Sequence, residues 1–423
     1  MSPVTSAPLT AQVPALVART VEIPDPGPLL STLPSEAPLV WVRRGEGLAG
    51  WGEAARFDVK GSARFTEADK WWRNLTRTAV IRDEVQLPGT GPVAFGSFTF
   101  DDGPTSSSLV LPETVVGHRE GRWWVTTVSV NGDLPPWPSL PSVAPIKRPG
   151  PVTFADGSRS GAEWGRIVAD AVSRINAGEL EKVVLARELI AETPRQLDLR
   201  WPLRRLSDRY PRCWTFSVDG VLGATPELLV RRERGLVTSR VLAGTIRRTR
   251  DDVHDLALAA SLARSSKDLE EHEFAVRSVA DALAPFCSSM NIPETPFVLH
   301  LPNVMHLATD LAGVTSGQAS SLLMAGALHP SAAVGGTPTK KAQEMIRELE
   351  ALDRGRYAAP VGWIDSSGDG EWGIALRCAQ VDSSERTRLR LFAGCGIVAG
   401  SDPTAELAES VAKLVPMRDA LST

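Results

Sequence analysis

The feature of this sequence that most constrains its fold is a succession of strand-like stretches joined by short turns. Each stretch is rich in apolar residues, and SGDG (367–370) is typical of a tight hairpin turn. Strands joined by short turns pair antiparallel, and helices grouped between such runs indicate an α+β fold. We therefore predict large antiparallel sheets with flanking helices. The strand-like stretches lie at residues 37–57, 91–102, 121–133, 213–233, 235–249, 356–366, 370–382 and 388–400. Helices are predicted at 160–180, where Ser160 and Glu163 have the spacing of a capping box, at 252–285 and at 404–420.

Three portions of the chain differ in composition. Residues 1–36 are rich in Pro, Ser and Thr and predict a loosely ordered lead-in. A proline-rich segment at 134–151 is the best internal boundary, although a long surface loop inside one domain fits it equally. We therefore interpret 37–150 as a strand-rich portion of the same fold and 151–423 as the portion that carries the chemistry.

Composition excludes several functional classes. The net charge of −4 and the pI near 6.0 provide no basic surface for nucleic acid. No apolar run approaches the roughly 20 residues of a membrane span, and the N-terminal stretch lacks the pattern of a signal peptide. The four cysteines form no CxxC pair. We expect reduced thiols in a cytoplasmic protein that binds a small molecule, without nucleic-acid or membrane partners.

A lysine opens one of the strand-like stretches, EKVVLAR (181–187). Alternation places Lys182 on the same face as Val184 and Ala186, which suggests an interior position. Lysine can act as a general base where its ammonium form is disfavoured, whereas arginine cannot lose its proton. The plainer interpretation is that Lys182 pairs with a carboxylate and steadies the strand. In GATPELL (223–229), Glu227 is either a buried general acid or an exposed turn glutamate.

Two helical stretches and one strand carry further charged residues. In TAELAESVAK (404–413), Glu406, Glu409 and Lys413 share one helix face. The carboxylates of KDLEEHE (267–273) either form a solvated face or turn inward toward Mg²⁺, which prefers oxygen ligands. Arg377 lies in the apolar stretch IALRCA (374–379), where a buried guanidinium requires an anionic partner. Together these residues suit a small anionic substrate held through Mg²⁺.

The order of these motifs resembles the chorismate-binding enzymes, and among them the isochorismate synthases. The resemblance is strong over about residues 155–420 and looser in the N-terminal third. It rests on motifs in a fixed order along the chain: KVVLAR, GATPELL, LAGTIRR, KDLEEHE, VMHLAT, LHPSAAVGGTP, DRGRYAAPVGW, GEWGIALRCA and RLFAGCGIVAGSDPTAELAESVAK.

The resemblance implies a fold like that of anthranilate synthase component I, with antiparallel sheets enclosing a deep pocket. It also implies a monomer that requires Mg²⁺. By resemblance, Lys182 activates water for attack at C2 of chorismate, and Glu227 protonates the departing C4 hydroxyl. The metal ligands would be Glu271 and Glu409, with Asp268 and Glu406 near them. The residues implied to bind or line the substrate pocket are Gly244, Thr245, His306, Ala333, Val334, Tyr357, Arg377, Gly394 and Lys413.

A few positions separate the subfamilies. Lys182 favours water as the nucleophile, because the ammonia-using relatives generally lack a lysine there. Ala333 and Val334 favour release of isochorismate, because salicylate synthases usually carry Thr at the position of Ala333. We therefore predict an isochorismate synthase serving menaquinone or siderophore biosynthesis. A salicylate synthase or a catalytically inactive homologue is the alternative. The chain departs from the commoner Thr-Pro at Ser331-Ala332.

Overall fold

The computed structural model describes residues 16–35, 37–135, 137, 140, 144–249, 251–301 and 304–422, with the backbone alone at Lys267. Among these residues, thirteen strands form one sheet and ten strands form a second, and helices flank both. All paired strands are antiparallel except the first and fifth. The α+β prediction with large antiparallel sheets is confirmed.

The strands are numbered in chain order. They are β1 (Val17–Ile23), β2 (Leu39–Arg43), β3 (Glu46–Trp51), β4 (Ala55–Val59), β5 (Val80–Asp83), β6 (Val93–Ser97), β7 (Ser107–Leu111) and β8 (Thr114–Arg119). Next come β9 (Arg122–Ser129), β10 (Thr153–Asp156), β11 (Lys182–Glu192), β12 (Trp214–Val218), β13 (Val221–Thr225), β14 (Leu228–Glu233), β15 (Leu236–Arg247) and β16 (Cys287–Asn291). The last are β17 (Phe297–His300), β18 (Val304–Thr315), β19 (Gly336–Thr337), β20 (Pro360–Asp365), β21 (Gly370–Ile374), β22 (Cys378–Val381) and β23 (Arg388–Ile397).

The helices are numbered in the same way. They are α1 (Arg64–Thr76), α2 (Gly161–Asn176), α3 (Arg200–Arg209), α4 (Asp252–Arg264), α5 (Ser266–Leu283), α6 (Ser321–Ala327), α7 (Thr339–Glu350) and α8 (Pro403–Leu421). Two short 3₁₀ turns occur at Leu29–Ser31 and Ala284–Phe286. Within the described part of the chain, no helix combines the length and apolar character that a membrane span requires.

The chain passes between the two sheets several times, and two of these passages position candidate site residues. The first sheet runs in the order β10-β11-β23-β22-β13-β12-β2-β3-β8-β9-β1-β5, with β19 on β11. The second runs β16-β18-β15-β14-β21-β20-β6-β7-β4, with β17 on β18. The chain passes from the first sheet to the second between β13 and β14, and it returns between β21 and β22. Because β13 pairs with β22 and β14 with β21, the two passages lie side by side. This double crossing positions two of the candidate site residues.

The space between the sheets is filled by large apolar side chains. Trp41 of the first sheet and Phe95 and Trp372 of the second are at most 2 % exposed. The Trp41 ring packs so closely on Gly373 that a Cβ there would lie 2.9 Å from the ring. Burial of such aromatic side chains stabilises the fold by roughly 2–3 kcal/mol each. Side chains of both sheets therefore belong to the same hydrophobic cluster.

Several local predictions hold and others are wrong. The capping box joining Ser160 and Glu163 is present at the start of α2. The single helix predicted over 252–285 is two helices, because Ser265 adopts an extended conformation and caps α5. The lead-in predicted over 1–36 is also wrong for its described part, since β1 pairs with β9 and its Ala18 is fully buried. Residues 1–15 and 36 of that prediction lie outside the described residues.

Candidate active site

Lys182 begins β11, and its side chain extends toward helix α5. The Lys182 ammonium donates a hydrogen bond to Oε1 of Glu271, and the two groups form an ion pair. Lys182 is 16 % exposed, so the pair is shielded from bulk water on most sides. The strand face is interior, as the alternation predicted. The carboxylate partner is the one that the plainer interpretation of Lys182 expects, and the sequence did not identify it as Glu271.

A glycine on the neighbouring strand makes room for this lysine. Strand β23 pairs with β11 so that Gly396 lies opposite Val184. A Cβ at Gly396 would come within 2.9 Å of Cε of Lys182, closer than real Cβ contacts. The glycine therefore defines the path of the lysine side chain. The sequence shows a glycine-rich stretch here, but only the strand register reveals which glycine faces Lys182.

Glu227 stands at the passage from β13 to β14. Its side chain is 8 % exposed, and no hydrogen-bond or ion-pair partner for its carboxyl occurs among the described residues. Burial raises the pKa of Glu227 to about 7, although Arg377, Lys182 and Lys413 act in the opposite direction. Glu227 is therefore buried rather than an exposed turn residue. A carboxyl group with this pKa can donate a proton near neutral pH.

Arg377 stands at the returning passage, between β21 and β22. It does not lie within a strand as predicted, because its φ of +49° ends β21 and turns the chain toward β22. The passages are bonded to one another: Ala224 N donates to Arg377 O at 3.3 Å, and Ile374 N donates to Glu227 O at 3.2 Å. In the described part of the chain the guanidinium has no carboxylate partner. Arg377 thus supplies a cation beside Glu227 that is free for an anionic ligand.

A second lysine–glutamate pair lies on α8. Nζ of Lys413 is 2.6 Å from Oε1 of Glu409, and it also donates to the carbonyl oxygen of Gly394 at 2.8 Å. Burial opposes the charge on Glu409, but Lys413 beside it lowers the pKa of the carboxyl. Tyr357 reaches the same strand, since a Cβ at Gly394 would lie 2.9 Å from its hydroxyl oxygen. Lys413, Gly394 and Tyr357 therefore share one wall.

The candidate metal ligands are only partly grouped. Ligand atoms of Glu406, Glu409 and Cys395 lie within 4.8 Å of one another. Burial raises the pKa of Cys395 to about 12, so its thiol stays neutral and is a poor ligand for Mg²⁺. That group, drawn from the described residues, does not include Glu271, which is engaged with Lys182. The structure thus brings together Glu406 and Glu409 but leaves Glu271 outside their immediate group.

Asp268 approaches the site through a bulge in β15. Gly244 has a φ of +78° at the point where the register between β15 and β18 shifts. A Cβ at Gly244 would lie 3.3 Å from Cβ of Asp268, one turn before Glu271 on α5. The bulge therefore lets α5 come close to the strand. Asp268 lies near Gly244, and no ion pair involving its carboxylate occurs among the described residues.

His306 faces Thr245 directly across β15 and β18. Thr245 Oγ1 and His306 Nδ1 are 2.9 Å apart and hydrogen-bonded, and Nε2 is buried without a partner among the described residues. Burial, together with Arg377 and Lys413, lowers the pKa of His306 to about 3. The imidazole is therefore neutral and presents Nε2 to a ligand.

The loop 331–335 closes the side of the site next to Glu227. Ala333 and Glu227 line the same small cavity, whose volume is about 20 Å³. Val334 is 3 % exposed, and its carbonyl oxygen accepts a hydrogen bond from Arg354 at 3.1 Å. Ala333 therefore lies at the cavity surface, and the hydrogen bond to the Val334 carbonyl holds the loop in place.

A buried ion pair that the sequence reasoning missed holds this loop to β11. Arg354 pairs with Glu350 and donates to the carbonyl oxygens of Val184 and Val334, at 2.6 Å and 3.1 Å. Glu350 in turn accepts from Ala186 N at 2.7 Å. The i,i+4 spacing of Glu350 and Arg354 was the available signal, but surface pairs share it. The pair positions the strand that carries Lys182.

These groups define a site for an anion. Among the described residues, the Arg377 guanidinium has no carboxylate partner and Nε2 of His306 has no hydrogen-bond partner. Both lysines are paired with glutamates, and their charges act on the protonatable carboxyl of Glu227. Buried polar groups without partners are rare in folded proteins, and they mark positions where a ligand completes the hydrogen bonding. The arrangement can hold carboxylate groups and can donate a proton to the bound molecule.

Comparison with known proteins agrees with the motif order. The family model described as "Chorismate binding enzyme" matches residues 11–133 and 144–422. The isochorismate synthase MenF of Bacillus subtilis is 32 % identical over 403 residues, which cover 88 % of this chain and 85 % of that protein. The isochorismate synthase DhbC of the same organism is 40 % identical over 283 residues, 64 % of this chain and 69 % of that protein. The menaquinone-specific isochorismate synthase MenF from Escherichia coli shares the fold, with a TM-score of 0.80, 23 % identity and coverage of 97 % and 95 %.

Proposed function

The chain belongs to the chorismate-binding enzyme family, and from that premise we propose that it is an isochorismate synthase. The reaction adds water at C2 of chorismate, displaces the C4 hydroxyl and shifts the ring double bonds. The observation that carries the proposal is Glu227, a buried carboxyl with a pKa raised to about 7 and Arg377 beside it. Such a group can protonate a poor leaving group near neutral pH, and the neighbouring cation can hold the substrate's carboxylate.

Lys182 is the proposed base. In its neutral form Nζ would accept a proton from the water whose oxygen attacks C2, while Glu227 gives a proton to the departing C4 hydroxyl. In the structure Nζ of Lys182 donates to the carboxylate of Glu271. The pair must therefore separate before the amine can accept a proton. Glu271 would leave Lys182 if it served as a ligand of a bound cation.

The acidic residues support a proposed Mg²⁺ site. Glu406, Glu409 and Glu271 supply hard oxygen donors, and Glu409 carries its negative charge because Lys413 lowers its pKa. We propose Glu271 and Glu409 as ligands, with Asp268 and Glu406 in supporting positions. When bound, Mg²⁺ supplies positive charge that neutralises a ring carboxylate. Arg377, Tyr357, Lys413 and the Gly394 backbone would orient the substrate's carboxylates.

Ala333 supports release of isochorismate over further reaction to salicylate. Its methyl group lies in the cavity that Glu227 also lines, so a hydroxyl at this position would contact the reacting region. A salicylate synthase, which eliminates pyruvate from isochorismate, is the second candidate. The proposal covers both menaquinone and siderophore biosynthesis.

We also propose that the enzyme acts as a monomer in the cytoplasm. All four cysteines are free thiols. Reduced cysteines without disulfides are usual in that compartment. Size-exclusion chromatography with light scattering measures the oligomeric state directly; a stable dimer would contradict this part of the proposal.

One assay tests the function. The purified protein is incubated with chorismate, with and without Mg²⁺, and the products are separated by chromatography. Formation of isochorismate alone supports the proposal. Salicylate together with pyruvate supports the second candidate. No product, with or without ammonia, indicates an inactive homologue and overturns the proposal.

A further inference from the structure

Ser331, where the sequence departs from the commoner residue of its family, has an unusual environment. Its hydroxyl is buried and has no hydrogen-bond partner among the described residues. It lies on the loop before β19 and lines a small cavity of about 20 Å³, which Glu227 also lines. An unpartnered buried hydroxyl is costly, so its oxygen is expected to bond to something that the protein itself does not supply.

The cavity has the chemistry of a water site. Its apolar wall includes Leu229 and Val241, while its polar groups are Glu227, Ser239 and Ser331. Ser239 donates to the carbonyl oxygen of Leu229 at 2.7 Å, which leaves its own oxygen free to accept. A buried water molecule needs two to four polar partners and enough room, and this cavity offers both.

The cavity also reaches the surface. Its other end is lined by Ser278, which is exposed on α5, and by Arg240, which pairs with Asp310 at 2.6 Å. Glu227, by contrast, is 8 % exposed. The cavity, whose lining is mainly apolar with a few polar groups, therefore provides a path between the buried Glu227 and the exposed Ser278.

Such a path meets a requirement of the proposed reaction. In each turnover the attacking water gives up one proton, and the departing hydroxyl takes one proton from Glu227 and leaves as water. One water molecule is added and one is lost, so chorismate and isochorismate have the same composition. The Glu227 carboxylate must then regain a proton before the next turnover. The donor is a hydronium ion or a buffer acid in solvent, and the proton released by the attacking water returns to solvent.

We propose that Ser331 orients cavity water that carries this proton from solvent to Glu227. The inference rests on the proposed function and deepens it. Ser331 is a positioning residue, since it acts through water and Glu227 rather than on the substrate. The serine hydroxyl accepts a hydrogen bond from one water and donates to another, so a proton can pass without an ionised side chain at position 331.

The test compares Ser331→Ala, which removes the hydroxyl but keeps the space, with Ser331→Thr, which retains it. In dilute buffer, Ser331→Ala is expected to lower kcat about fivefold, the kinetic equivalent of one hydrogen bond. KM for chorismate should remain within about twofold, since no substrate contact is lost. Ser331→Thr should keep the wild-type kcat. Added imidazolium, a small acid, should raise kcat of Ser331→Ala and leave the wild type unchanged.

A second variant keeps the proposal testable if Ser331→Ala does not fold. Ser278→Leu adds bulk to the cavity lining on α5 and should show the same loss of kcat with the same rescue by imidazolium. Unchanged kcat in both variants, or a loss that imidazolium does not restore, would overturn the inference. Absence of isochorismate with the wild-type enzyme would instead overturn the proposed function.

Discussion

The ammonium group of Lys182 on β11 is bonded to the carboxylate of Glu271 on α5, 89 residues away in sequence. The proposed base and a proposed metal ligand therefore neutralise one another. A cation held by Glu271 would compete with Lys182 for this carboxylate. Under the proposed function, metal binding and release of Lys182 from Glu271 would therefore be linked through this contact.

Replacement of Lys182 tests both sides of that link. Lys182→Gln should form isochorismate at least about a hundredfold more slowly, the usual scale for loss of a general base. It should bind Mg²⁺ more tightly than the wild type in a calorimetric titration, because the ammonium no longer competes for Glu271. Lys182→Arg should be nearly as inactive, since guanidinium does not release its proton. An active Lys182→Arg enzyme would show that Lys182 only steadies the strand.

Replacement of Glu409 tests the metal site. Glu409→Gln should remove most activity, and excess Mg²⁺ should restore little of it, because one charged oxygen ligand is lost. EDTA should abolish wild-type turnover, and added Mg²⁺ should restore it. Glu344→Gln, at an exposed position on α7, serves as the control and should behave like the wild type. Full activity of the wild type in metal-free buffer would refute the assignment.

The protonation of Glu227 predicts two pH dependences. Because its pKa is raised to about 7, kcat/KM should fall as pH rises through about 7, and Glu227→Gln should lose that limb with most of the activity. In the unfolded chain the carboxyl ionises near its ordinary value, so the folded state binds the proton more tightly. The resulting stabilisation is fully present at acidic pH and is lost as pH rises through about 7.

The stability difference can be measured on the metal-free protein. Above pH 8 the buried carboxylate costs up to about 3 kcal/mol relative to the unfolded chain. We therefore compare the free energy of unfolding in urea of Glu227→Gln with that of the wild type. The difference in favour of Glu227→Gln is expected to be larger at pH 8.5 than at pH 5. Glu344→Gln again provides the control. An equal difference at both pH values would mean that Glu227 keeps an ordinary pKa.

Substitution of Gly396 should lower the rate of the reaction, although it alters no charged group. Gly396→Ala places a methyl group 2.9 Å from Cε of Lys182, so the side chain must move. We expect kcat to fall at least about tenfold, since small displacements of catalytic groups are costly. Gly400→Ala, where a Cβ meets nothing within 4 Å, should keep the wild-type rate. Circular dichroism verifies that both variants fold, and an unchanged kcat for Gly396→Ala would contradict the role assigned to Lys182.

The sequence by itself determined the local pieces of this protein. Alternation in EKVVLAR identified Lys182 as inward-facing, and the Ser160–Glu163 spacing identified the start of α2. The motif order indicated the family and therefore the fold. These inferences succeed because strand alternation, helix capping and motif spacing depend on residues close together in the chain.

Only the tertiary structure decided how the pieces meet. The pairing of Lys182 with Glu271, the contact of Gly396 with the lysine stem and the backbone turn at Arg377 depend on strand register and on the double crossing of the sheets. Local propensity carries no information about such contacts, because they form between segments brought together by folding. Burial of Glu227, which raises its pKa, has the same origin: a turn glutamate becomes a proton donor only when two sheets close around it.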